Sequence, residues 1–191
     1  MSLTFSQKFP MGEKAPDFKL TEVTSNKEYS YSDLGSGMIT VIMFICNHCP
    51  YVKHVRKEMV NVANKYISEG VSFIAISSND VENFPDDSPE NMRKVAEEFD
   101  FPFPYLYDET QQVAKAYKAA CTPDFFIFNE KAECIYHGRF DESNHKNGMV
   151  PTGIDLTYAL DLALDEKVMP EEDQKPSSGC NIKWKSGISP F

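Results

Sequence analysis

No stretch of this sequence approaches the roughly 20 consecutive apolar residues that cross a bilayer. Its most apolar run, Met38 to Ile45, is only strand-sized, which excludes a membrane-spanning helix. Basic residues are scarce, 19 against 29 acidic ones for a net charge of -10, and such a surface repels phosphate backbones and anionic lipids. Neither nucleic acid nor a membrane is an expected partner. Cysteine is sparse as well. Five is an odd count, too low for a disulfide scaffold, and points to catalytic, metal-bound or buried thiols in a reducing compartment. Met1 to Phe18 has no apolar core followed by a small-residue cleavage site and carries Glu13 and Asp17, so a cytoplasmic location is expected.

What is present is ordinary globular material: 191 residues, 41% hydrophobic and 25% charged, enough for one domain. Residues 1–37 read as a peripheral β-hairpin region. Met38 to Ile45 and Val71 to Ser77 read as strands buried on both faces, as in a parallel sheet. Between them Val52, Val55, Met59, Val62 and Tyr66 recur at helical spacing up to Gly70, and strand–helix–strand predicts a right-handed parallel crossover. Ser88-Pro89 starts another helix, Asp108 with Gln111 a third by a capping-box pattern, and Thr152 with Asp155 caps a last one. Phe101 to Tyr107 is a short strand, and Phe125 to Phe128 with Cys134 to Arg139 an antiparallel hairpin. The fold class is α/β, with a central mixed sheet flanked by helices. Residues 1–169 form the domain, and residues 170–191 a C-terminal tail.

The chemistry concentrates in Cys46-Asn47-His48-Cys49-Pro50, where a buried strand meets an amphipathic helix. Backbone amides at a helix N-terminus and a charged His48 both favour a thiolate, so Cys46 is expected to titrate below the free value of about 8.5. Cys46 then attacks a disulfide, and Cys49 one turn along resolves the mixed disulfide. A zinc site needs three or four ligands. No second Cys-x-x-Cys and no His-x-His accompany this one, so no metal is expected. Two buried structural thiols are the plainer alternative.

These features together identify the chain as resembling the thioredoxin superfamily, specifically its peroxiredoxin-like, AhpC/TSA-type members. The carriers are Ala15-Pro16-Asp17-Phe18, the strand–Cys46-x-x-Cys49–helix unit, Val71 to Ser77, and Thr122-Pro123-Asp124 before the Phe125 strand. The resemblance implies a thioredoxin-like fold and a cis Pro123 facing the redox pair, with the Thr122 backbone left to bind an extended substrate. Pro176 to Trp184 resembles the tail of a peroxiredoxin-like subgroup. Thr40 and Ile45 stand where thioredoxins carry a buried Asp and a Trp. Cys46 and Ile42 stand where peroxiredoxins carry a Thr and a Pro, and Thr122-Pro123 lies where that family often has its peroxide-polarising Arg.

The expected function is thiol–disulfide exchange by a redox-active Cys46–Cys49 disulfide, assisted by His48, with Thr122 and Pro123 binding substrate and no cofactor. The partners are protein or small-molecule disulfides and a thiol electron donor. A thiol peroxidase with an antioxidant role, and a non-catalytic binding module, are the alternatives. Cys180, and after it Cys121, are candidates for a third redox thiol. Cys134 and His137 read as structural, Arg139 as a surface residue, and Asp86 to Glu90 as a solvated loop and helix start.

Overall fold

The computed structural model describes residues 3–35 and 37–188; residues 1, 2, 36 and 189–191, which belong to the expected hairpin region and tail, lie outside the described residues. In chain order the elements are β1 (Leu3–Phe5), β2 (Lys19–Glu22), β3 (Glu28–Ser30), α1 (Tyr31–Gly35), β4 (Thr40–Phe44), α2 (Pro50–Ile67), β5 (Ser72–Ser77), α3 (Pro89–Glu98), β6 (Tyr105–Tyr107), α4 (Gln112–Ala116), β7 (Cys121–Thr122), β8 (Asp124–Phe128), β9 (Cys134–Gly138), α5 (Ile154–Leu164) and β10 (Ser178–Asn181).

The main sheet has the order β3-β2-β6-β5-β4-β8-β9. β4, β5 and β6 run parallel, while β8 pairs antiparallel to β4, β9 to β8, and β2 to both β3 and β6. This is the expected mixed sheet. Alternation along β4 divides the core: Val41, Met43 and Ile45 pack with Val52, Met59 and Tyr66 of α2 and Leu156 of α5, whereas Ile42 and Phe44 pack on the other side with Phe9, Tyr117 and Ile182. Each such fully buried aliphatic or aromatic side chain stabilises the fold by roughly 1.5–3 kcal/mol.

A second, three-stranded sheet of order β1-β10-β7 carries the end of the chain into the structure. β10 pairs antiparallel with β1 on one side and with β7 on the other, placing Cys180 opposite Thr122 and Asn181 opposite Cys121. The bond between Thr122 and Pro123 is cis, as the resemblance implies.

Two expected helix caps are replaced by contacts from distant residues. Gln111 precedes α4 in a left-handed conformation without capping it, and its side-chain amide donates instead to the carbonyls of Ser78 and Lys183, at 2.6 and 2.8 Å. Asp108 accepts from the Ala114 amide at 2.9 Å. At α5 neither Thr152 nor Asp155 caps. Asp141 accepts from the Thr152 and Gly153 amides at 2.6 and 2.7 Å, and Asp155 accepts from Arg139. Gly153 has φ 64°, and a Cβ there would lie 2.6 Å from the Phe140 ring. Gly153→Ala should therefore cost about 1–3 kcal/mol, read as a lowered urea midpoint with an unchanged m-value.

Candidate redox site

β4 ends at Phe44, and the chain crosses the C-terminal edge of the sheet through Cys46 before α2 begins at Pro50. Cys49 is the N-cap of α2, extended at φ -62° and ψ 122°, and proline at the first helical position fits the helix without wasting an amide donor. Both thiols are buried, and none of the five cysteines is in a disulfide. Cys46 Sγ lies 3.4 Å from Thr122 Oγ1, and Cys49 Sγ lies 3.3 Å from the Thr122 carbonyl oxygen. Cys46, Cys49, Thr122 and the cis-Pro123 turn thus meet at one place.

The electrostatics reverse the expectation for Cys46. Burial, a hydrogen bond with Cys49 and the nearby Asp87 carboxylate all push the Cys46 thiol well above its ordinary range. Cys49 is held far below that range, at about 2, by hydrogen bonds from Cys180 and Cys46 and from the Val52 amide, which together outweigh its burial. The reason is positional. The amides at the start of α2 serve its N-cap, whereas Cys46 lies three residues earlier, beside a carboxylate. These influences favour a negative charge on Cys49 over one on Cys46.

His48 also differs from expectation, because its Nδ1 donates to Asp87 Oδ2 at 2.5 Å while its ring stacks on Phe84 with centroids 5.4 Å apart. It serves the carboxylate rather than Cys46. Asp87 is fully buried and also accepts from the Asn47 amide at 2.7 Å, the His48 amide at 3.2 Å and Asn79 Nδ2 at 2.7 Å. Burial alone would raise its pKa, but the donations from His48 and Asn79 and the amide of Asn47 leave it below the usual carboxylate value. The sequence offers Asp87 as solvated; the structure corrects this, and the chain supplies a buried carboxylate to the site although Thr40 occupies the thioredoxin position. Arg56, also unforeseen, is buried on α2, donates to the Asn47 carbonyl at 3.0 Å and lies 4.7 Å from the Phe99 ring centroid.

Cys46, His48 and Asp87 each place a donor atom within 4.8 Å of the others. With both Asp87 oxygens already accepting from four protein donors, the group reads as a hydrogen-bonded cluster rather than a ligand set. Cys180, opposite Thr122, hydrogen-bonds to Cys49. Cys121 is next to Thr122 on β7, so its side chain leaves from the opposite face of the strand, and burial pushes its thiol up. Cys134 is likewise buried and raised, to about 12. His137 is structural: Nε2 donates to Asp124 at 3.1 Å, and Nδ1 accepts from the Phe9 amide at 3.2 Å. Arg139 donates to Asp155 at 2.5 Å.

Beside the pair, Tyr51, Val55, Pro123, Phe140, Ser177 and Ser178 line a cleft of about 250 Å³. Among the described residues no helix is long and apolar enough to cross a membrane.

The family model described as AhpC/TSA matches residues 11–137. No curated protein matches the chain. Among solved structures, an uncharacterized conserved protein from Geobacillus kaustophilus is 55% identical with a TM-score of 0.95, over 98% of this chain and 99% of that one. A hypothetical protein from Sinorhizobium meliloti 1021 is 38% identical with a TM-score of 0.92, over 96% and 100%. A thiol:disulfide interchange protein of the thioredoxin family from Chlorobium tepidum TLS, 17% identical, has a TM-score of 0.61 over 82% and 99%, a likeness of fold alone.

Proposed function

This chain belongs to the AhpC/TSA family and has a thioredoxin fold, and on that premise we propose that it is a thiol–disulfide oxidoreductase working through Cys46 and Cys49. The observation that carries the reading is the meeting of Cys46 and Cys49 with Thr122, at the start of α2 and beside the Thr122–Pro123 turn.

Cys46 gives up its proton as its sulfur attacks one sulfur of a substrate disulfide. The substrate S–S bond breaks as a Cys46–substrate bond forms, and the departing thiolate takes up the proton that Cys46 releases. Cys49 then attacks Cys46 Sγ, the Cys46–Cys49 bond forms, and the second substrate thiolate leaves. The substrate gains two electrons, and the pair loses two. A donor thiol returns the pair to its reduced form by the reverse exchange. His48 positions Asp87, and Asp87 keeps Cys46 protonated until substrate arrives. Thr122 and the adjoining cleft are the binding surface for a protein or small-molecule disulfide. A reducing compartment such as the cytoplasm suits the cycle, and the sparse, odd cysteine count supports that location.

The test is a pair of variants assayed with insulin as the disulfide. Cys46→Ser should lose reductase activity, at least a hundredfold if the nucleophile is the whole of the chemistry, and Cys49→Ser should accumulate a mixed disulfide on Cys46. Should Cys49 in the Cys46→Ser protein sustain fast turnover of hydrogen peroxide with a thiol donor, a peroxidase is the correct assignment instead. Insulin turnover at the wild-type rate by both variants would leave neither cysteine with a role.

A further inference from the structure

The substrate edge of this site is already occupied, and its occupant carries a thiol. β10 pairs antiparallel with β7 through Cys180 and Thr122, the position that the sequence leaves to an extended substrate. Paired residues in adjacent strands project to the same face, so Cys180 and Thr122 both face Cys46 and Cys49. Cys180 is buried there. The approach is so close that Gly179 is required: a Cβ on it would lie 2.0 Å from the Thr122 carbonyl oxygen.

The strand is fastened on both sides of Cys180. Upstream, the Ser6 amide donates to the Ser177 carbonyl at 3.0 Å, and Ser177 Oγ donates to the Gly138 carbonyl at 2.7 Å. Downstream, the Ile182 amide donates to the Ala120 carbonyl at 3.0 Å, the Lys183 amide to Asn79 Oδ1 at 2.8 Å, and Gln111 to the Lys183 carbonyl at 2.8 Å. Such anchoring presents one sulfur in a fixed place rather than letting a tail wander.

We propose that β10 is a built-in substrate strand and that Cys180 is a third redox thiol, which takes the disulfide from the Cys46–Cys49 pair by bonding to Cys49. The inference rests on the exchange chemistry proposed for that pair. Deprotonated Cys180 attacks Cys49 Sγ; the Cys49–Cys180 bond forms, the Cys46–Cys49 bond breaks, and Cys46 leaves as a thiolate that takes up the proton given up by Cys180. No electrons are gained or lost overall. Before oxidation the hydrogen bond to Cys49 is the largest influence raising the Cys180 pKa, and that influence disappears once Cys49 is in a disulfide. An external substrate strand must lift β10 from β7 to reach the pair. Once Cys49–Cys180 has formed, the tail is tied over the edge until a donor thiol reduces it.

The test uses the full-length chain with Cys46→Ser, incubated with oxidised glutathione, alkylated and mapped by peptide mass. The expected product is a Cys49–Cys180 bond in most molecules, with glutathione as the leaving thiol. Adding Gly179→Ala to that protein should lower its yield at least tenfold. Cys180→Ser, nearly isosteric and so spared any difficulty in folding, should combine with Cys46→Ser to leave glutathione on Cys49. A lasting Cys49–glutathione adduct while Cys180 stays alkylatable in the Cys46→Ser protein overturns the proposal. Failure of the underlying pair is read separately in the Cys180→Ser single variant, where Cys180 cannot draw the disulfide away, as the absence of a Cys46–Cys49 bond in the same buffer.

Discussion

Acidified from neutral pH to about pH 4, the reduced protein should keep one thiolate where an unfolded chain keeps none, since free thiols titrate near 8.5. The charge is expected on Cys49, where hydrogen bonds from the Cys180 and Cys46 thiols and the Val52 amide lower the pKa to about 2. A depressed acid stabilises the fold above its unfolded value and loses that contribution as pH falls toward its folded value. The reduced protein should thus gain stability as pH rises through the range between the two, by up to about 1.4 kcal/mol per pH unit from this group. Cys46 and Cys180 are raised, so their contribution is complete below the ordinary thiol value and is lost above it. Stability of the reduced form should therefore peak near that value. Thiolate absorbance in the ultraviolet and urea unfolding across pH are the measurements: Cys49→Ser should abolish the acid-resistant signal and flatten the slope, and Cys180→Ala should move the titration upward. Loss of the signal in Cys46→Ser, with Cys49→Ser unaffected, would assign the charge to Cys46. A thiolate stabilised to this degree also favours the reduced pair over its disulfide, so the Cys46–Cys49 potential should lie above the roughly -270 mV of thioredoxin.

Much of the scaffold is legible in the sequence because its elements bury periodic faces. The β-branched run in β4 and the helical spacing of Val52, Val55, Met59 and Val62 carry the strand–helix unit that holds Cys46 and Cys49. What escapes is what distant residues decide. Gln111 looks like a local cap and instead holds Lys183, 72 residues away. The tail has a polar, glycine-containing composition that reads as coil, yet Gly179 is the residue that lets it pack against Thr122. Asp87 sits in a string of acidic residues before a helix, a pattern that normally marks solvent, and only the fold brings it under Asn47 and His48. One signal for it was available. Asn79 follows β5, whose C-terminal end adjoins that of β4, and polar residues at the C-terminal ends of neighbouring parallel strands commonly build a site.

Removing the His48 side chain should be among the most damaging single changes in the site, although its ring nitrogen serves Asp87 rather than either reacting sulfur. In His48→Leu the fully buried Asp87 loses its Nδ1 donor and keeps two backbone amides and Asn79. A buried carboxylate stripped of its main partner costs about 3–5 kcal/mol when it must stay charged. Asp87 is depressed in the fold, so its contribution is present above the ordinary carboxylate value and disappears as pH falls through the folded one. The penalty in His48→Leu should accordingly be largest at neutral pH and shrink in acid. Asp87→Asn keeps the side chain's volume and removes the charge, which separates packing from electrostatics. In that background His48→Leu should cost less, giving a coupling energy of about 1–3 kcal/mol in a double-mutant cycle from urea unfolding. Asp87→Asn should also bring the Cys46 thiol down, because the carboxylate is one of the groups that raise it. Iodoacetamide should then label Cys46 at a lower pH than in the wild type, an effect that loss of stability alone would spread over all five cysteines. Additive costs for the two substitutions, together with an unchanged Cys46 labelling profile, would reduce the His48–Asp87 pair to packing and leave burial and the hydrogen bond with Cys49 as the causes of the raised Cys46 pKa.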